Sequence, residues 1–342
     1  MDEFSITMIG LACALFSGTI FGSMFTPIRK YDIRDGFFVQ WIQSATIFVC
    51  GMIVNFVLEH PKFEPMAALG GLIFATSNIT SIPLVNKFGA GLAILYCGSI
   101  QIIVGWATAR FGFLGIKAQE PASPILNYVG IVLTLGSGIM FSLVKNKPTP
   151  PEWAKVATVS IEDCCLPLEA TDEKKLIDGR NRKAPCFVRS QHCYLLVATL
   201  SGALSGLIHT PVSYAMDNVE GASQEDMEYV FSYFCGIFFG STVYFVIYCI
   251  AKKNRPYVSP ELTLPSVLYG LMWTCAMISW FFANKNLSVA ISFPIVTRIP
   301  GIVGACWDVL YFKSIKGTKN LLLLAVAISI ALAGVISVGL SK

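Results

Sequence analysis

The sequence predicts an all-α polytopic membrane protein with ten transmembrane helices arranged as a 5+5 inverted repeat. Three observations support this fold class: an apolar composition, ten apolar segments of membrane-spanning length, and a motif that occurs twice. Of the 342 residues, 54% are hydrophobic and 13% are charged. A soluble domain has about 25% charged residues, so much of the surface of this chain must face lipid.

Ten segments have the roughly 20 apolar residues that a helix needs to cross the hydrocarbon core. The first follows Met-Asp-Glu without a basic stretch, which favours a retained helix over a cleaved signal peptide. We place the segments near residues 5–27, 37–58, 66–85, 90–110, 125–144, 193–215, 229–251, 262–283, 288–312 and 320–341.

A polar stretch at 145–192 divides the segments into two groups of five. It contains the runs NKPTPPEW, DEKK and DGRNRK and few large apolar residues, so we interpret it as a mostly disordered linker. The predicted units are a first five-helix repeat over 1–144, this linker, and a second, inverted five-helix repeat over 193–342.

The repeated motif reads SGTIFGSMFTP at 17–27 and SGALSGLIHTP at 201–211, an offset of 184. Later segments match at an offset of 199, which pairs Gly105 with Gly304. Because each group has an odd number of segments, the second group must enter the membrane from the opposite side. Inverted repeats of this kind are typical of secondary transporters, whose two halves rock about a central site.

Small residues within the motif predict close helix packing. Gly18 and Gly22 are four residues apart, as are Gly202 and Gly206, so each pair lies on one helix face. Small faces let helices approach closely in lipid. One interpretation is static packing, and the other adds that such faces slide when the halves move.

The distribution of basic residues predicts the orientation. Nineteen Lys and Arg residues lie in the loops on the side of the linker, and five lie on the opposite side. The positive-inside rule then favours a cytosolic linker and non-cytosolic termini. Within the linker, DEKKLI at 172–177 fits the acidic dileucine pattern that is typical of endolysosomal sorting.

Several long stretches on both sides of the linker closely resemble the transmembrane protein 144 family. This resemblance implies the ten-helix fold of the drug/metabolite transporter superfamily and carbohydrate transport, as in bacterial glucose/ribose and rhamnose carriers. The chain departs from the pattern at Ser314, where the superfamily often has glutamate, and at His209 and Arg298, where small or apolar residues are expected. The stretches that carry the resemblance are DGFFVQW (35–41), PKFEPMAALGG (61–71), GAGLAILYCGS (89–99), GWATARFGFLG (105–115), YVFSYFCGIFFGSTVYFVIYCIAKK (229–253) and SFPIVTRIPG (292–301).

Recognition of a sugar requires aromatic faces together with amide and hydroxyl groups. For each aromatic, core packing or an interfacial aromatic belt is the alternative interpretation. The predicted substrate-binding residues of this type are Gln40, Trp41, Asn78, Tyr96, Gln101, Trp106, Trp273, Trp280 and Thr297.

Arg298 is the basic residue that lies deepest in a predicted span. An arginine at a helix centre costs about 2.5–3.5 kcal/mol, so it needs a partner or water. Pro294 and Pro300 flank it and predict a broken helix. The freed carbonyls of such a break are one partner, and an anionic sugar derivative in a water-lined site is the other. Asp308 is ten residues away, about 15 Å along a helix, and too far for a direct pair.

His209 has two interpretations, a proton relay in a coupled carrier or a hydrogen bond to a neighbouring helix. The sequence has no paired carboxylates, phosphate-binding loop, nucleophile elbow or metal-ligand cluster, so we predict neither enzymatic activity nor a cofactor nor a bound metal. The basic residues lie in loops between apolar segments, which argues against a nucleic-acid partner. The predicted partners are the lipid bilayer and a small-molecule substrate, in the first place a carbohydrate.

The predicted function is therefore secondary transport of a carbohydrate or sugar derivative by alternating access about a midplane site. Two alternatives stay open. One is a non-transporting receptor or scaffold with a carrier fold, and the other is a carrier of another metabolite such as a nucleotide sugar.

Overall fold

A computed structural model describes residues 3–29, 31, 33–88, 90–144, 191–313 and 315–342. Residues 145–190 of the predicted linker, which include the DEKKLI pattern, therefore lie outside the described residues. Short 3₁₀ turns at Phe113–Gly115, Asp226–Tyr229 and Pro260–Leu262 lie between helices. The helices are α1 (Glu3–Ser23), α2 (Phe37–Val57), α3 (Pro65–Phe88), α4 (Ala90–Phe111), α5 (Pro124–Leu143), α6 (Gln191–Gly206), α7 (Thr210–Asn218), α8 (Val230–Ala251), α9 (Thr263–Leu287), α10 (Val289–Leu310) and α11 (Thr318–Gly339).

Length and hydropathy identify seven of these helices as able to cross a membrane, or eight if the bent pair α6–α7 is counted as one span. Helices α3 and α4 are 24 and 22 residues long, about 33–36 Å at 1.5 Å per residue. The prediction of an all-helical, multi-pass membrane protein is confirmed for the part of the chain that the structure describes.

Helix packing joins elements from the two sides of the linker. Helix α1 packs on α9 and α10, α2 on α8 and α9, α3 on α6 and α8, α4 on α6 and α10, and α5 on α11. Consecutive helices also pack on each other: α3 on α4 and α4 on α5 before the linker, and α9 on α10 and α10 on α11 after it. The core is therefore built by both groups of helices together.

The glycines of the repeated motif lie where helices approach closely. A Cβ placed on Gly18 would lie 2.5 Å from Ile299 Cβ of α10, and one on Gly202 would lie 2.9 Å from Ile100 Cβ of α4. The structure thus places the two small faces against α10 and α4. Side chains larger than hydrogen would force these helices apart.

The predicted helix break lies in a different place. Pro294 and Pro300 both lie inside α10, which runs without interruption from Val289 to Leu310, so the prediction of a broken ninth span is wrong. A proline deletes one N–H but keeps helical φ, and α10 continues through both of its prolines. The sixth predicted span is instead two helices bent by 40° about residues 207–209. Pro211 lies in the first turn of α7, where a missing N–H costs nothing.

Candidate functional site

The break between α6 and α7 places His209 inside a cluster of aromatic rings, which we call the His209 cluster. The imidazole is 2% exposed. Its centroid lies 4.5 Å from Trp280, 5.4 Å from Phe281, and 6.3 Å from both Tyr233 and Phe293. These rings come from α8, α9 and α10, so the cluster forms only after three helices pack on the break.

A buried polar pair fixes the orientation of the imidazole. The Ser292 hydroxyl donates to Oδ1 of Asn284, so the Nδ2 of this amide faces His209 and donates to its Nδ1 at 3.4 Å. Because Nδ1 accepts, the ring hydrogen of the neutral imidazole lies on Nε2. Ser292 and Asn284 are 0% and 6% exposed, which makes this orientation a property of the protein interior.

Three polar atoms of the His209 cluster are buried without a hydrogen-bond partner among the described residues: His209 Nε2, Tyr233 Oη and Trp280 Nε1. A buried polar group without a partner costs about 1–3 kcal/mol, and such groups are rare in folded proteins. All three can donate a hydrogen, and all three belong to rings with flat apolar faces. The cluster therefore offers donors and aromatic surface to an oxygen-rich ligand.

Trp273 extends the aromatic surface toward the linker side of the bundle. Phe21 of α1 contacts both Trp273 and Trp280, with centroids 6.2 and 5.9 Å away. Phe74 of α3 lies 4.8 Å from Trp273. The structure thus brings together three of the residues singled out in the sequence, Trp273, Trp280 and His209, at the junction of α1, α3 and α9.

Two other predicted residues lie on α2, away from this junction. Gln40 donates from Nε2 to the Ala75 carbonyl at 3.2 Å and to the Ser241 hydroxyl at 3.3 Å. Trp41 stacks on Phe245 at 4.9 Å. Both side chains connect α2 to α3 and α8, so their contacts are those of helix packing.

The predicted residues of α3 and α4 are dispersed. Tyr96 is 40% exposed, and its hydroxyl lies 3.0 Å from that of Thr199. Trp106 donates to Asn127 Oδ1 at 2.7 Å. Asn78 and Gln101 are half-buried. The structure does not bring these four side chains into the His209 cluster.

Arg298 and Thr297 are also placed outside the His209 cluster. Thr297 donates to the Phe293 carbonyl of its own helix at 2.7 Å. The Arg298 guanidinium lies 5.0 Å from the Phe141 ring of α5, and its Nε and Nη2 are buried without a hydrogen-bond partner in the part of the chain that the structure describes. Arg298 is five residues after Phe293, which places it about 140° around α10 from the cluster.

Sequence reasoning missed Tyr233 and Asn284 as members of the cluster. Tyr233 lies in the aromatic-rich run YVFSYFCGIFF, where nothing in the sequence distinguishes it from the other aromatic residues. Asn284 lies in the last turn of α9 and was available as a signal, since a buried amide requires partners. Among the described residues, no group of three His, Cys, Asp or Glu side chains is placed to hold a metal ion.

A helical bundle of membrane-spanning length with a polar and aromatic interior defines a multi-pass integral membrane protein. A model of the transmembrane protein 144 family of transporters matches residues 8–342. The chain belongs to this family, as the resemblance in its sequence predicted.

Relatives match over nearly the whole chain. A transmembrane protein 144 homolog of Caenorhabditis elegans is 38% identical over 98% of this chain and 99% of its own length. Transmembrane protein 144 homolog B of Dictyostelium discoideum is 29% identical over 98% of both chains. A solved crystal structure, described only as that of a protein, superposes with a TM-score of 0.56 at 13% identity over 99% of this chain and 98% of that one. The fold therefore recurs in a protein of distant sequence.

Proposed function

We propose that the protein is a secondary carrier that moves a carbohydrate or sugar derivative by alternating access between two five-helix halves. The observation that carries this proposal is the set of three buried donors on His209, Tyr233 and Trp280 that have no partner among the described residues. Buried donors without partners from the protein are suited to exchange between ligand and water. The substrate hydroxyl oxygens accept these hydrogens, and the aromatic faces cover the C–H surfaces of the sugar.

The packing supports the division into 5+5 inverted halves. Counting α6–α7 as one span, exchange of α1 to α5 with the spans after the linker maps each major helix contact onto another. Ser17 donates to the Ala276 carbonyl at 2.7 Å, and its counterpart Ser201 donates to the carbonyl of Ser77 at 3.2 Å. Ser17 and Ser201 are 184 residues apart, and Ser77 and Ala276 are 199 residues apart. These are the two offsets of the sequence repeat.

The glycine contacts follow the same rule. Gly22 faces Val303, and its counterpart Gly206 faces Val104, again at the two offsets. Such correspondence favours halves related by an axis in the membrane plane, the arrangement on which alternating access depends. His209 lies at the break between α6 and α7, past the middle of the stretch from Gln191 to Asn218, which puts the proposed site on the non-linker side of the centre.

A carrier of anionic sugar derivatives is the second candidate function, and Arg298 favours it. Two of its nitrogens are buried without a partner beside Phe141. Water or an anionic group on the substrate path satisfies them when the bundle opens. A non-transporting receptor with the same fold is the third alternative.

The remaining parts of the proposal concern orientation and coupling. We propose a cytosolic linker, non-cytosolic termini and an endolysosomal membrane, from the basic-residue distribution and the DEKKLI pattern. We propose His209 as the proton-coupling residue, because Nε2 has no partner in the closed bundle.

Purified protein in liposomes tests the function. Labelled hexoses, pentoses, polyols, uronic acids and nucleotide sugars are offered with and without a pH gradient. We expect saturable counterflow of at least one neutral sugar. Specific binding without uptake of any compound supports the receptor instead, and nucleotide-sugar exchange alone supports the alternative carrier.

Arg298→Gln distinguishes the two carrier functions. Because Arg298 lies about 140° around α10 from the cluster face, we expect the variant to keep neutral-sugar counterflow within about twofold of wild type. If the anionic function is correct, uptake of uronic acids falls at least tenfold while the protein elutes as a folded species. Trp280→Ala is the matched positive control, since it removes a ring of the proposed site.

A further inference from the structure

We infer that two aspartates of the second half, Asp308 and Asp217, are opposing latches that hold the two ends of the bundle closed. The inference rests on the proposed carrier function, because only a carrier must open its two ends in turn. Each carboxylate binds the first half at one end of the bundle, and the two ends are on opposite sides of the membrane.

Asp308 closes the linker side. It lies near the end of α10, and its Oδ1 accepts from Arg29 Nη1 at 2.6 Å just beyond the end of α1. The Phe312 ring covers the guanidinium carbon at 3.9 Å. Trp307 Nε1 donates to the Ser23 hydroxyl at 2.9 Å beside this pair. The Asp308 side chain is 19% exposed and that of Arg29 is 39% exposed, so the carboxylate is the more shielded partner of the pair.

Asp217 closes the other side. It lies in the last turn of α7 and accepts from the Lys117 backbone N–H at 2.7 Å, with Lys117 Nζ 3.9 Å from its other oxygen. The adjacent Asn218 donates from Nδ2 to the Gly115 carbonyl at 2.8 Å. These contacts hold the end of α7 on the segment that follows α4.

Neither latch has a counterpart in the other half. At the repeat offsets, Arg29 and Asp308 correspond to Ser213 and Ala109, which cannot form an ion pair. Asp217 and Lys117 correspond to Ile33 and Lys316. The glycine and serine contacts of the bundle occur in both halves, whereas each of these two charged contacts occurs only once. Opening one end therefore breaks the contact of one of these two aspartates and leaves that of the other intact, which allows the ends to open separately.

Hydrogen exchange of the full-length protein in nanodiscs tests the latches without knowledge of the substrate. We expect Asp308→Ala to raise deuterium uptake at 24–29 and 307–313 and to lower it at 112–119 and 212–219. Asp217→Ala should produce the opposite pattern. The expected change in exchange rate is about fivefold, which corresponds to about 1 kcal/mol. The double variant should return both ends toward wild type.

The decisive result for the latches is a fall in hydrogen exchange at the end of the bundle opposite the mutation, because loss of a merely local contact raises exchange only around the mutated residue. A rise confined to the mutated end overturns the inference. Arg29→Gln removes the other, more exposed partner of the same pair and replaces Asp308→Ala in the experiment if that variant does not fold. Exchange of the charges, Arg29→Asp with Asp308→Arg, should restore the wild-type pattern.

Lys285→Gln is the matched control. Lys285 pairs with Glu225 on the non-linker side, but both residues belong to the second half, so we expect no change at 24–29 or 307–313. The transport experiment and the hydrogen-exchange experiment test different proposals, so that one can fail while the other succeeds. Opposed exchange patterns without uptake of any sugar retain the latches and remove the proposed function, whereas sugar uptake with purely local exchange effects does the reverse.

Discussion

Gly236→Ala will lower the melting temperature of the protein by several degrees. A Cβ on Gly236 would lie 1.9 Å from the Ala68 carbonyl oxygen, and one on Gly71 would lie 2.0 Å from that of Tyr233. The backbones of α3 and α8 are thus in direct contact. Relief of the clash requires these helices to separate, and overpacking of this kind costs about 1–3 kcal/mol or more. Thermal unfolding in detergent, followed by fluorescence-detected gel filtration, measures the effect.

Gly301→Ala is the control for this prediction. Gly301 is an exposed residue of α10, and a Cβ placed there meets nothing within 4 Å. Alanine is favoured over glycine inside a helix by about 1 kcal/mol, so we expect this variant to be as stable as wild type or slightly more stable. An unchanged melting temperature for Gly236→Ala would show that α3 and α8 are farther apart than described here.

Tyr233→Phe will make the protein more stable and a weaker carrier. The Tyr233 hydroxyl is buried without a partner, and removal of such a group relieves a cost of about 1–3 kcal/mol. If the hydroxyl binds substrate, its loss weakens binding by about 0.5–1.5 kcal/mol, or about 2- to 12-fold in the apparent KM. Thermal unfolding and counterflow on the same preparation measure the two effects.

Tyr244→Phe provides the opposite case on the same helix. The Tyr244 hydroxyl lies 2.7 Å from that of Thr76, so its removal deletes a hydrogen bond between α8 and α3 and should lower stability with no change in KM. If Tyr233→Phe were as active as wild type, the His209 cluster would be a packing core, and the proposed site would have to be moved.

Composition and segment length predicted the class of fold correctly because both follow from the solvent. A chain with 13% charged residues cannot cover a globule, and a lipid-exposed backbone must satisfy its hydrogen bonds within helices. The family was also predictable, since long collinear stretches carry the resemblance. The glycine motif marked positions of close approach because a missing Cβ has the same meaning in any helix pair.

The site was less predictable, since its members come from separate helices. Trp280 and His209 were singled out, but Tyr233 could not be told from the other aromatic residues of its helix, and Gln40 and Trp106 have hydrogen-bond partners elsewhere. Asp308 was considered for Arg298 and rejected on distance, and the structure pairs it with Arg29 from the far side of the linker. No local pattern indicates a contact between residues 279 positions apart.

By itself, therefore, the sequence determined the membrane-spanning helices, the family and the positions where helices can touch, because these depend on composition and local spacing. Only the tertiary structure decided that the chain bends between α6 and α7 while α10 stays continuous through two prolines. It also decided which polar groups remain without partners. Whether a helix bends, two charges pair or a donor stays without a partner depends on all the surfaces that pack on the residue. Those surfaces meet only in the folded chain.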